Sequence, residues 1–114
     1  MENQNNMTRQ RLPDRRHSVT VKIPFTTDGG KAWSLLVTIG REAPGLPPRE
    51  VFCADFKAGT TMHAVVTDSC ILLSRLLQAG VTCEEIAASL CEPPSLIGTL
   101  TRAVVADQEK EKEG

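Results

Sequence analysis

Four cysteines are the residues of this chain that could take part in the widest range of reactions: Cys53, Cys70, Cys83 and Cys91. Their spacings include no Cys-x-x-Cys pair. Zinc sites and dithiol redox sites need such closely spaced ligands, because two thiolates must reach one ion or one disulfide. His17 and His63 do not supply the missing ligands. We therefore expect reduced cysteines that are mostly packed as small apolar side chains, with no metal site and no bound cofactor.

Cys83 is the cysteine with a separate argument for reactivity. Thr82, Cys83, Glu84 and Glu85 form a capping box, which predicts that a helix begins here. Because a helix N-terminus favours a thiolate, the hypothesis is a mildly reactive Cys83. A redox role would require two cysteines to be adjacent in space, and their spacing gives no reason to expect that.

A basic arm precedes the first apolar segment. Residues 8–17 contain four arginines against one aspartate, and they end in Arg15, Arg16 and His17. These three side chains are candidates for binding the phosphates of a nucleotide or a nucleic acid. The competing interpretation is a solvated tail, and the arm has no aromatic residues interleaved for base stacking.

Two further sites are candidates for binding a ligand or a partner. Thr60 and Thr61 follow Gly59 at a predicted helix start, where a phosphate can bind, although helix capping is the favoured explanation for them. Asp68 lies within a strongly apolar helical segment. It is either a buried carboxylate that binds a ligand or partner, or a polar residue that faces the edge of the apolar side. No residues have the spacing of a catalytic acid–base pair or triad, so no catalytic residue is assigned.

The composition limits the class of protein. The chain has 114 residues, a net charge of −1, 40% hydrophobic residues and 24% charged residues, which is typical of one globular domain. The low net charge argues against a whole surface devoted to nucleic acid or membrane. No apolar run reaches the ~18 residues of a membrane span, and no secretory signal is visible at the N-terminus. We therefore expect a cytoplasmic protein without membrane contact.

Three strands are predicted in the first half of the chain. Residues 18–25 and 31–40 alternate apolar and polar side chains around the turn signal at Asp28, Gly29 and Gly30. After a proline-rich loop, residues 49–56 alternate again, with Phe52, Ala54 and Phe56 on one face. The first two strands are predicted to form a hairpin.

Three helices are predicted in the second half. Residues 60–79 carry apolar side chains at three- and four-residue steps, and Gly80 ends this helix. A short helix follows the capping box and reaches about Leu90. After Pro93 and Pro94 a last helix spans residues 96–106.

Strands followed by helices predict an α+β fold. We expect a three-stranded antiparallel sheet covered on one face by the long helix, which is followed by two shorter helices. The domain would span residues 18–106, between a disordered basic arm at residues 1–17 and a charged tail at residues 107–114. An apolar stripe of the long helix that the domain does not cover could be buried by self-association, so a homodimer is expected.

An ordered series of motifs resembles a known family. Residues 12–20 (LPDRRHSVT) resemble LPxxR-x-S-x-T, and residues 48–52 (PREVF) resemble the PxEVFI strand of that family. Residues 57–61 (KAGTT) resemble its KxGST turn, and residues 77–81 (LQAGV) resemble LQYGV. The family is the TSCPD domain, found near the C-terminus of vitamin B12-dependent, class II ribonucleotide reductases.

The resemblance extends to the helix and stops short of the reductase chemistry. Asp68 and Ser74 fall near the Asp and the Ile-Ser pair of the family's long helix. The segment Cys91–Ser95 only echoes the Phe-Glu-Pro-Ser-Gly stretch of the family, and the Thr-Ser-Cys-Pro-Asp signature is absent. The barrel, the active-site cysteines and the cobalamin of a full reductase are not expected in a chain of this length.

The resemblance therefore implies a reductase-related domain that is not an enzyme on its own. We expect an accessory or regulatory role in which the domain binds a nucleotide or a protein partner, such as a ribonucleotide reductase. The alternative is a nucleic-acid-binding or regulatory module that uses the N-terminal arginine-rich arm.

Overall fold

In the computed structural model, the described part of the chain comprises residues 17–26, 29–54, 56 and 58–113. These residues form an α+β fold, as predicted, in which three strands precede three helices. In chain order the elements are β1 (His17–Thr26), β2 (Ala32–Arg41), β3 (Glu50–Cys53), α1 (Thr61–Gln78), α2 (Cys83–Ser89) and α3 (Leu96–Glu113).

The three strands form one antiparallel sheet in the order β1-β2-β3. The β1–β2 hairpin is paired from His17 opposite Arg41 to Thr26 opposite Ala32. The shorter β3 pairs with the second half of β2, with Val51 opposite Ile39. Both β1 and β3 are therefore edge strands, and β3 is the one beside which α1 packs.

Alternation along the strands separates a core face of the sheet from an open face. Leu35, Val37 and Ile39 on β2 are fully buried, and Val51 and Cys53 on β3 lie on the same side. The apolar residues of β1 pack against this core, whereas its polar residues are exposed, as the alternating sequence predicts. The helices close the core with a set of buried apolar side chains: Val66, Leu73, Leu77, Ile86, Leu96, Leu100 and Val104.

The helix ends follow local capping chemistry. Thr60 is the N-cap of α1, and its hydroxyl accepts a hydrogen bond from the His63 amide at 3.1 Å. Gly80 follows the C-cap of α1 with a φ of +100°, a conformation that glycine adopts without strain. The predicted capping box between Thr82 and Glu85 is confirmed in both directions. Among the helices described here, none has the length and apolar character to cross a membrane.

The third strand is shorter than predicted, and the difference changes which way Phe56 points. Pairing ends at Cys53, so the alternation predicted through Phe56 does not continue. Phe52 points to the open face and is half exposed, whereas Phe56 turns into the core and packs on Trp33 with ring centroids 5.0 Å apart. Phe52 and Phe56 therefore lie on different sides of the domain.

The last helix is longer than predicted, because residues beyond Ala106 find partners in the fold. It continues to Glu113 and is as long as α1, at 18 residues each. The Asp107 carboxylate lies 2.9 Å from the fully buried guanidinium of Arg41. Glu111 accepts a hydrogen bond from the Gly45 amide at 2.9 Å. Residues predicted as a charged tail are thus part of the folded domain.

Candidate functional site

A concave groove of about 510 Å³ lies between β3 and α1. One wall is the open-face side of β3, with Glu50 and Phe52. The other wall is the flank of α1 that carries Thr67, Ile71 and Arg75. The two walls come from elements about twenty residues apart in sequence, and only the packing of α1 beside the sheet edge brings them together.

The floor of the groove is held by hydrogen bonds from α1 to the edge strand. The buried hydroxyl of Ser74 accepts from the Val51 amide at 3.0 Å and donates to the Val51 carbonyl at 3.3 Å. The Gln78 side-chain amide donates to the Arg49 carbonyl at 3.0 Å. Backbone groups that an edge strand would offer to another chain are thus satisfied by α1. The groove is consequently a preformed surface with a fixed floor.

The walls present apolar side chains to solvent. Phe52 is 50% exposed and Ile71 is 49% exposed, and both line the groove. Large apolar side chains that face each other across a preformed concave surface are the usual lining of a binding site. The groove can therefore take an apolar group.

A few polar atoms lie around this apolar surface. The Oε1 atom of Gln78 is buried and has no hydrogen-bond partner among the described residues. An unsatisfied buried acceptor is unfavourable, so a hydrogen bond from a bound group to this oxygen would be stabilising. The imidazole of His63, the guanidinium of Arg75 and the carboxyl group of Glu50 also line the groove.

Two cysteines lie at the base of the groove. Cys53 on β3 and Cys70 on α1 are both buried, and neither is in a disulfide. Burial, and to a smaller extent the neighbouring Cys53 side chain, raise the pKa of the Cys70 thiol to about 11, against a hydrogen bond from the Cys53 backbone that lowers it. The fold thus places Cys53 and Cys70 next to each other, although their spacing in the sequence gave no reason to expect that two cysteines would be adjacent. At neutral pH Cys70 is held as the unreactive thiol.

The environment of Cys83 is opposite to the one that the helix-dipole argument predicts. Its side chain is buried, with 1% exposed, and its thiol donates to the Gln108 side-chain oxygen at 2.9 Å. Burial raises the pKa of Cys83 to about 12, and the adjacent Glu84 carboxylate adds to the increase. The helix start does provide favourable amide dipoles, but desolvation outweighs them. Cys83 is therefore a packed thiol with a raised pKa.

The basic arm contributes one described residue. Arg15 and Arg16 lie outside the described part of the chain. His17 is the first residue of β1 rather than the end of an arm, and its Nε2 atom lies 3.7 Å from a carboxylate oxygen of Glu111. His17 therefore faces α3.

The remaining predicted site residues lie along α1 but not in the groove. Thr60 uses its hydroxyl to cap the helix, and Thr61 is exposed in the first turn. Asp68 is exposed on the outward side of α1, which corresponds to the edge-facing alternative and not to a buried carboxylate. The structure does not gather these three residues into one site.

Sequence reasoning did not identify the groove itself. Ile71 falls outside the apolar repeat that marks the buried side of the helix, and this departure was the available signal for an exposed apolar residue. Ser74 interrupts that repeat, which signals a buried polar group with a specific partner. Phe52 gave no signal, because the alternation along β3 does not show which of its two faces meets the core.

Within the described ranges, no three histidine, cysteine or acidic side chains are grouped so that they could hold a metal ion. In comparisons with known proteins, no family model, curated protein or solved structure matches the chain.

Proposed function

We propose that this chain is a relative of the TSCPD domain that acts by binding and not by catalysis. Its ligand would be an apolar segment of a partner protein, seated in the groove between β3 and α1. The observation that carries the proposal is the pair of half-exposed side chains, Phe52 and Ile71, across a preformed groove of about 510 Å³. A ribonucleotide reductase is the first partner to test, in keeping with the motif resemblance.

The lining favours a protein segment over a nucleotide. Phosphate groups need several converging cations, whereas this groove offers His63 and Arg75 next to the carboxylate of Glu50. Its apolar walls match an apolar side chain, and the buried Gln78 Oε1 can accept a backbone amide of a bound segment. This is the combination of an apolar anchor and a few polar contacts by which peptides are recognised.

The thiols support a binding role. A nucleophilic or redox cysteine works as the thiolate, so its pKa must be near or below neutral pH. The pKa values of Cys70 and Cys83 are instead raised to about 11 and about 12. The pure protein, assayed with cobalamin and ribonucleotides, should accordingly give no turnover, and measurable reduction would refute the binding-only role.

The groove is tested with displayed peptides. A library of random peptides is selected against the immobilised protein, and the enriched peptides are titrated by fluorescence anisotropy. Ile71→Asp places a charge on the groove wall, and its matched control is Leu46→Asp, an equally exposed leucine on the β2–β3 loop outside the groove. We expect enriched peptides to carry large apolar residues and to lose at least about tenfold in affinity with Ile71→Asp.

The outcomes separate the alternatives. Equal binding by Ile71→Asp and Leu46→Asp would place the peptide elsewhere, and failure to enrich any peptide would remove the proposal. Binding of ribonucleoside triphosphates with loss in Ile71→Asp would make the ligand a nucleotide. Co-purification with a reductase, lost in Ile71→Asp and kept in Leu46→Asp, would identify the partner.

A second candidate function rests on the arginine-rich arm. Four arginines against one aspartate in residues 8–17 favour contact with a polyanion. Binding of single- or double-stranded nucleic acid that falls steeply with salt, and that disappears when residues 1–16 are deleted, would support this function. Salt-independent binding, or none, would reject it.

A further inference from the structure

The outward side of α1 carries an apolar stripe that is separate from the groove. Leu72 is 66% exposed, Val65 53%, Leu76 44% and Met62 38%. The buried side of the helix is formed by other residues, namely Val66, Cys70, Leu73, Ser74 and Leu77. An 18-residue helix that is apolar on two sides has more apolar surface than its own domain covers.

The spacing of the stripe is that of a helix–helix seam. Met62, Val65, Ser69, Leu72 and Leu76 follow each other in alternating steps of three and four residues. This is the a/d pattern by which two helices pack along their length. The seam spans four turns of α1, and the small Ser69 lies at its centre.

The charged residues that flank the seam select its partner and its direction. In this repeat Asp68 and Arg75 both occupy the position that precedes an a residue, the g position, and both are exposed. In an antiparallel pair of helices, g residues face g residues of the partner. With Ser69 opposite Leu72 of a second copy, Asp68 faces Arg75 of that copy, and by twofold symmetry Arg75 faces its Asp68.

A parallel arrangement lacks this complementarity. In a parallel pair each g residue faces an e residue of the partner. The e positions of α1 are Val66 and Leu73, which are buried in the core of their own domain. In the antiparallel register, by contrast, Asp68 and Arg75 of each copy face each other's opposite charge, which gives two ion pairs. Val65 then lies opposite Leu76 of the second copy.

We propose that the outward stripe of α1 is a homodimer interface in which the α1 helices of two copies pack antiparallel, with reciprocal Asp68–Arg75 ion pairs. The apolar stripe lies on a different flank of the helix from the groove between β3 and α1, and the interface borders the groove at Arg75, which lines it. Each dimer therefore carries two grooves.

Charge reversal tests the register. Oligomeric state is measured by sedimentation velocity on the full chain from about 1 to about 200 µM, a range that resolves weak and strong dimers. The wild-type chain is expected to sediment as a dimer, and Leu72→Asp as a monomer. Asp68→Arg and Arg75→Asp each place like charges together twice, so each is expected to weaken the dimer by at least about tenfold. The double variant Asp68→Arg/Arg75→Asp restores opposite charges and is expected to recover the dimer.

The controls keep the outcomes distinct. Asp68 and Arg75 are exposed, so circular dichroism should show folded variants throughout. Leu46→Asp changes an exposed leucine off the stripe and should leave the dimer intact. A monomeric wild-type chain at all concentrations overturns the proposal. A dimer that the single reversals do not weaken, or that the double reversal does not restore, overturns the antiparallel register.

Discussion

Burial, more than position in the sequence, determines what individual side chains of this protein can do. Cys83 begins a helix and Cys70 lies in the middle of one, yet the thiol pKa values of both are raised by the same cause, the removal of the thiolate from water. Cys91 differs because it is exposed. Among the cysteines of the described chain, the accessible thiol is thus Cys91, whereas Cys83, the one that begins a helix, is buried.

Thiol labelling checks this order of reactivity. With an alkylating reagent at neutral pH, we expect Cys91 to react first. Cys83 should react at least about a hundredfold more slowly, because its thiol is both buried and protonated. Peptide mass spectrometry identifies the labelled cysteine. Cys91→Ser should abolish the fast phase while Cys83→Ser leaves it unchanged. Rapid labelling of Cys83 in the Cys91→Ser variant would contradict the buried geometry.

Ser74 provides a second test at the scale of one side chain. Ser74→Ala removes both hydrogen bonds to Val51 and leaves a buried backbone amide without its acceptor. The expected cost is about 1–3 kcal/mol in the free energy of unfolding, measured by urea denaturation. Ser34→Ala, the same change at an exposed strand position, should stay within about 0.5 kcal/mol. Equal stability of the two variants would mean that the Ser74 bridge contributes nothing.

At the scale of elements, the sequence predicts what local chemistry determines. The ends of α1 were predicted within a residue because Thr60 and Gly80 act on their own neighbours. The ends of β3 and α3 depend on distant partners, and they were the least well predicted. Arg41, which is fully buried, is the partner that extends α3 through Asp107. The groove was missed for the same reason, since its walls belong to two elements.

The Arg41–Asp107 pair tests how α3 is anchored. Asp107→Asn removes the charge that compensates a guanidinium with no exposed surface, so the expected loss is about 2–3 kcal/mol by thermal or urea unfolding. Glu109→Gln, in the same turn but exposed and in a surface ion pair with Lys112, should cost no more than about 0.5 kcal/mol. If both variants unfold alike, residues beyond Ala106 do not anchor the helix.

For the whole molecule, the significant feature is that three distant segments meet near the end of α3. Glu111 accepts the Gly45 amide of the β2–β3 loop and lies 3.7 Å from His17 at the start of β1. The first strand, the loop that leads to the groove strand and the last helix are thereby joined. A charged segment that resembles a tail in sequence instead connects the two ends of the described chain.

This junction predicts how stability depends on pH. The Gly45 amide, with Arg41 and His17 nearby, lowers the pKa of the Glu111 carboxyl below its ordinary value. A lowered folded-state pKa means that the carboxylate stabilises the fold above the unfolded value of about 4.3, and that this stabilisation is lost as the pH falls through the folded value. Glu111→Gln should therefore have a lower Tm than the wild-type chain at about pH 7, and the difference should disappear as the pH falls through the lowered folded-state pKa of Glu111. Scanning calorimetry across this range measures it, with Glu109→Gln as the exposed control on the same helix. A difference that stays constant down to the lowest pH would show that the charge of Glu111 does not join these segments.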